Sequence, residues 1–161
     1  MRKILEAVSL TALAAMLAVT ALAFFGPLRL PDRIPTHFNA LGRPDNWGSP
    51  RMFLFFPAIA AAIYLMMTWV ARYPSAFNYP VRVTPRNRER LQGLALGMIA
   101  WLKAEVVTFL AWIQWSAIRA AQHPGQGFSP LLMPVLLAAV FATIIVHLGA
   151  MFRAKPAPTR P

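Results

Sequence analysis

Four apolar blocks of about twenty residues each constrain this chain more than any other feature: Ile4–Phe25, Met52–Ala71, Leu94–Ile118 and Leu131–Phe152. Crossing roughly 30 Å of hydrocarbon takes about 20 helical residues at 1.5 Å each. The second block carries no formal charge, and the fourth carries only His147. A water-soluble fold would show amphipathic stripes and charged faces, yet 58% of the residues are apolar and 13% charged. The pattern predicts an all-α integral membrane protein, a bundle of four transmembrane helices with an ordered extracytoplasmic loop between the first two. One membrane domain is expected over residues 1–152, with a loop module at 26–51, and a basic, proline-rich, disordered tail over 153–161.

The formal charge of +11 invites a nucleic-acid reading, but the basic residues sort by connection instead. Arg2 and Lys3 precede the first block, Arg72, Arg82, Arg86, Arg88 and Arg90 separate the second from the third, and Arg153, Lys155 and Arg160 follow the fourth. Those ten face five on the other side: Arg29, Arg33, Arg43, Arg51 and Arg119. The positive-inside rule then puts both termini in the cytoplasm of a bacterial inner membrane and the first loop outside. The implied partners are lipids, and nucleic acid is not among them. With no cysteine, disulfides and thiolate chemistry are excluded. Met1-Arg2-Lys3, the apolar run and Ala21-Leu22-Ala23 imitate a secretory signal. That run exceeds a usual signal core, which favours a retained helix.

Between the first two blocks, Leu30–Pro50 gathers His, Asn, Asp, Trp, Gly and Pro. Pro27, Pro31, Pro35, Pro44 and Pro50 each fix their own φ and push the preceding residue towards extended geometry. Gly42 through Asn46 reads as a turn, so the loop is expected to be ordered. His37, Asn39, Asp45 and Trp47 are its candidate ligand-binding residues. The competing reading has Asn39 and Asp45 satisfying the loop's own backbone, with Trp47 as an interfacial anchor. His37 with Asp32 and Asp45 is too loosely spaced for a convincing metal site, and no metal or cofactor is expected.

The run Leu30-Pro31, Ile34-Pro35, His37-Phe38-Asn39, Gly42, Pro44-Asp45 and Trp47-Gly48-Ser49 resembles the signature of a bacterial membrane family of unknown function. Its loop module also forms the N-terminal part of Sdp-type bacteriocin immunity and signalling proteins. The resemblance is specific over residues 25–60 and looser beyond. In that pattern a Lys tends to follow the Gly-Ser, where this chain has Pro50 and then Arg51. Immunity proteins of that type carry a further membrane module after the point where this sequence stops. The resemblance implies a receptor-like or immunity-like membrane unit, without toxin immunity itself and without catalytic residues to carry over.

The third block holds Trp101, Glu105, Thr108, Trp112, Trp115 and Arg119 at spacings that keep them on one helical face. A helix from Pro85 to Arg119, with Thr84 as its N-cap, would be about 52 Å long. Its first turns should then stand in the cytoplasm, bringing Arg86, Arg88 and Arg90 to anionic headgroups. Glu105 lies mid-span, where an ionisable group is a functional candidate by default. The plainer reading is a structural lock onto Thr143 or Tyr64. Lys103 is about 200° from Glu105 around the helix, so the two do not pair with each other. Glu6 and His147, at similar depth in the first and fourth helices, are candidates for a hydrogen bond, or a pH sensor. Pro57 should kink the second helix or sit in its first turn. Ala58, Ala60, Ala61, Ala62, Ala138, Ala139 and Ala142 permit close helix contact, within the bundle or in a homodimer.

No nucleotide loop, zincin motif or nucleophilic triad is present. The expected function is therefore non-enzymatic: binding an envelope ligand or peptide, in an immunity-like or sensing role. The alternative is a small transport or ion-coupling component using Glu105 and Lys103.

Overall fold

The computed structural model describes residues 1–123, 127 and 129–154. Residues 155–161 of the expected disordered tail, and residues 124–126 and 128 between the third and fourth helices, lie outside the described residues, while Ala154, at the start of that tail, is buried and hydrogen-bonded to Asn87. The elements run α1 (Arg2–Phe25), β1 (Ile34–Phe38), β2 (Pro44–Gly48), a 3₁₀ turn (Pro50–Leu54), α2 (Phe55–Val70), α3 (Arg88–Gln122) and α4 (Leu132–Phe152).

Among the described residues, four segments are long and apolar enough to cross a membrane: α1, Pro50–Val70 (the 3₁₀ turn with α2), α3 and α4. They turn much of that apolar surface outward. In α4 only 6% of the most hydrophobic stretch is buried within the protein, and Phe141, Ile145 and Val146 are exposed. Water does not tolerate apolar patches of that extent, so the solvent these helices fit is lipid. The chain has the helices that a membrane protein needs. α3 is the hub: α1, α2, α4 and β1 all pack on it. Its buried alanines (Ala100, Ala104, Ala117, Ala120, Ala121) let neighbouring backbones come close. The sequence points instead to alanines of α2 and α4, and of those only Ala60 is buried. Ala58, Ala62, Ala138, Ala139 and Ala142 face outward.

The loop departs from an all-α reading. β1 and β2 form an antiparallel hairpin, pairing Ile34 with Gly48 and Pro35 with Trp47, and its register is broken by irregularities on either side of His37. Pro35 and Pro44 each lack an N–H, but a two-stranded ribbon has only edge strands, where proline is tolerated. Fixed φ angles favour the extended chain, and Gly42 closes the turn with φ 73°. Helix α1 stops at Gly26, whose N–H bonds to Leu22 O. A Cβ there would lie 3.0 Å from Leu22 Cα and O. Pro57 falls in the first turn of α2. At the hairpin end, Ile34 and Phe53 are fully buried with Ala23, Ala117, Ile118 and Ala121. That cluster fixes the hairpin onto α1 and α3.

The far end has its own core of Val81, Leu91, Ala95, Met151 and Ala154. Here α3 starts later than the sequence predicts, at Arg88, because Asn87 takes over the local hydrogen bonding. Its Oδ1 accepts from Thr84 N (2.7 Å) and Thr84 Oγ1 (3.1 Å), and its Nδ2 donates to Arg82 O and Ala154 O, each at 3.0 Å. Thr84 therefore serves a turn rather than capping the helix, and Asn87 joins the start of α3 to the end of α4. Asn87→Ala would leave one buried and several part-buried groups unpartnered at once. We expect a loss of roughly 1–3 kcal/mol, read as a lowered thermal midpoint in detergent, with Asn87→Asp recovering part of it through the bonds to Thr84.

Tyr79 lies in the same connection and donates to Pro74 O at 2.7 Å. Burial pushes its phenol above the ordinary value of 10.0. A folded-state pKa above the unfolded one means the stabilisation is full below about pH 10 and fades as pH rises through the folded value. Thermal midpoints measured from pH 8 to 11 should therefore fall at the alkaline end, and fall less in Tyr79→Phe.

Candidate binding site

At the hairpin end, the loop and the helix ends enclose a cavity of about 570 Å³. One wall is the continuous run Ile34–Asn39. Side chains alternate across a regular strand, and the irregularities on either side of His37 break that alternation, so consecutive residues of β1 line one space. The other walls are Phe55 and Ile59 of α2, Phe109 and Ile113 of α3, and Met133 of α4. A lining of this kind is apolar with a few polar groups at the rim, as in small-molecule and peptide sites.

The four loop candidates separate in space. His37 and Asn39 line the cavity, whereas Asp45 and Trp47 do not. His37 Nδ1 lies 2.5 Å from Asp45 Oδ1, a contact across the two strands that leaves both side chains substantially exposed. Asn39 is occupied by its own turn: its Oδ1 accepts from Leu41 N (3.0 Å) and Arg43 N (3.1 Å), and its N–H donates to Arg43 O. Trp47 stands opposite Pro35 with its ring half in solvent. Among the described residues no three His, Asp or Glu side chains converge as metal ligands.

Inside the bundle, Lys103 is buried at 4% exposure, so it does not snorkel to a membrane surface. Its Nζ donates to Glu6 Oε2 at 2.6 Å and to Thr68 Oγ1 at 2.9 Å. It also sits 4.5 Å from the centre of the Tyr64 ring, and the Tyr64 hydroxyl donates to the other Glu6 oxygen. Three helices thus meet at one ammonium.

The Glu6–His147 hydrogen bond expected from sequence does not form. Glu6 faces α2 and α3, while His147 Nδ1 pairs with Thr143 O at 2.8 Å. The His147 ring rests against Gly97, where a Cβ would come 3.4 Å from Nε2. Similar depth along two helices gave no information on their facing directions. Thr143 Oγ1 donates to Glu105 Oε1 at 2.5 Å, and Glu105 Oε2 is buried without a hydrogen-bond partner among the described residues. Thr108 lines the same outward groove as Glu105, Trp101 and Trp112.

Sequence reasoning passed over Gln114, which is 1% exposed. Its Nε2 donates to Thr20 Oγ1 at 2.6 Å, and Thr20 in turn bonds back to Met16 O. The signal was available. Gln114 is eleven residues from Lys103, three helical turns and about 20° away on the same face.

Residues 11–61 match a domain of unknown function, DUF1648. An uncharacterised protein of Archaeoglobus fulgidus is 41% identical over 76 residues, which cover 40% of this chain and 42% of that protein. The chain therefore spans less than half of that relative's length. No solved structure matches. The matched segment comprises most of α1, the hairpin and the beginning of α2, so the likeness centres on the elements that build the cavity's polar rim.

In a double-mutant cycle, Glu6→Gln and Lys103→Met should each destabilise the detergent-solubilised protein. The double variant should lose less than their sum, by a coupling of roughly 0.5–3 kcal/mol. Strict additivity would mean the two side chains do not stabilise one another.

Proposed function

We propose that this protein is a non-enzymatic binding component of a bacterial cytoplasmic membrane, with both termini inside and the hairpin outside. It takes up an envelope ligand or peptide in an immunity-like or sensing role. The observation that carries the reading is the 570 Å³ apolar cavity between the β1 edge and the outer ends of α2, α3 and α4. An extended peptide adding beside β1 would find backbone partners along the strand edge and pockets for its apolar side chains. His37 stands at the rim, held by Asp45, and is suited to a polar group of the ligand. The excess of basic residues on the opposite side supports the orientation. Exposed alanines on α2 and α4 leave room for a second copy of the chain.

The rival transport reading is weakened at Lys103, whose ammonium is engaged by Glu6 and Thr68. A lysine held in this way is a better structural tie than a mobile carrier.

The absence of cysteine makes a clean test possible. In intact cells, His37→Cys should react with a membrane-impermeant maleimide, while Arg86→Cys should react only after permeabilisation. A photoreactive residue at Met133 should then capture an envelope component of defined mass, and Ile113→Trp, which fills the cavity, should suppress that adduct. Reversed labelling would refute the orientation, and adducts with bulk lipid alone would refute the binding role.

A further inference from the structure

At the end of the bundle away from the hairpin, the hydrogen bonds of Asn87 gather four arginines. Its Nδ2 donates to Arg82 O and to Ala154 O, each at 3.0 Å, so these two carbonyls lie no further apart than twice that distance. Arg153 is the sequence neighbour of Ala154, and Arg86 and Arg88 flank Asn87 itself. The N–H of Arg88 is fixed in turn by Thr84 O at 3.0 Å. The α2–α3 connection, the start of α3 and the end of α4 thus bring Arg82, Arg86, Arg88 and Arg153 around one buried side chain. The core of Val81, Leu91, Ala95, Met151 and Ala154 packs the same three stretches together.

All four arginines are exposed. Among the described residues the ion pairs are His37–Asp45 and Glu6–Lys103, so none of the four has a counter-charge. Glu89 is the one carboxylate between Asp45 and Glu105 in the sequence, and it belongs to neither pair. Like charges held together repel one another, and an anion from outside the chain relieves that cost.

We propose that this cluster is a discrete site for the headgroup of an anionic phospholipid. A guanidinium meets phosphate oxygens through two parallel N–H bonds, and basic pockets at the ends of membrane helices suit anionic headgroups. A lipid is favoured over free phosphate by what lies beside the cations. Val83 and Phe152, next in sequence to Arg82 and Arg153, are exposed apolar side chains, and Tyr73 is exposed in the same connection. A ligand carrying both phosphate and hydrocarbon covers both kinds of surface. The grouping differs from the run Arg86, Arg88 and Arg90 that the sequence offers to headgroups. Arg90 lies about 200° from Arg88 around α3, while Arg82 and Arg153 join from distant positions. The inference rests on the membrane placement proposed above and not on any ligand of the hairpin cavity.

The full-length protein should be reconstituted in phosphatidylcholine vesicles with trace spin-labelled phosphatidylglycerol or spin-labelled phosphatidylcholine, and the motionally restricted fraction read by electron paramagnetic resonance. The anionic lipid should be enriched at the protein. Arg82→Gln and Arg153→Gln should each lower its relative affinity roughly fivefold, the effect of one arginine near a headgroup, whereas Arg90→Gln should change it little. The Asn87 bond to residue 82 uses the backbone carbonyl, so Arg82→Gln leaves that bond in place. An Arg90→Gln loss as large as that of Arg82→Gln would overturn the discrete site and leave diffuse attraction. Displacement of the lipid by inorganic phosphate at matched ionic strength would overturn the lipid assignment. Failure of the unmodified protein to enter the vesicles would overturn the membrane placement and this site with it. Entry with equal affinity for the two lipids would overturn this site alone.

Discussion

The bundle depends on how one ammonium group is neutralised away from water. Lys103 is almost completely buried, and an isolated charge in such a place is too costly to keep. Its partners come from two other helices: Glu6 from α1, and Thr68 with the Tyr64 ring from α2. Apolar packing between helices has little directional preference in lipid, because hydrocarbon tails are as apolar as leucine. The polar contacts therefore supply the register. Lys103 with Glu6 near one end, and Gln114 with Thr20 nearer the other, set α1 against α3 at two points. The alanines of α3 permit the close approach, and the polar pairs select which close approach is used.

The hairpin is attached to this frame by apolar contact. Ile34 and Phe53 are inserted among alanines of α1 and α3 and Ile118 of α3, so the loop is a fixed part of the surface. The β1 edge and the helix ends then enclose a cavity that neither forms alone. The same physical logic produces the outer groove. Three helices pack on α3, and an apolar strip of it is left where α1 and α4 do not close over it. The two spaces differ in chemistry: one offers a strand and an imidazole, the other an apolar surface with two indoles along it.

How much of this was legible depended on the kind of signal. The four helices were, because apolar runs of that length have few other uses. Glu105 stood out for the same reason, as did its opposition to Lys103 around α3. The proline-rich loop was recognised as ordered, but its strands were not, because prolines usually argue against a sheet and a two-stranded ribbon is the exception. Thr84-Pro85 looked like a helix start. Asn87 displaced it through a bond to Ala154, sixty-seven positions away, and no local pattern encodes that distance.

By itself, the sequence determined where helices lie, which residues share a helical face and which groups are too polar to be left alone in lipid. These are properties of spacing and composition, and they follow from the 3.6-residue turn and the absence of water. The tertiary structure decided between the partners that spacing left open. It gave Glu6 to Lys103 instead of His147, chose Thr143 over Tyr64 for Glu105, and closed His37 onto Asp45, while Asn39 bonds within its own turn as the plainer sequence reading had it. Partner choice depends on the rotation of each helix about its own axis and on its stagger against its neighbours. Those quantities are set by the packing of all the helices at once, so no single segment carries them.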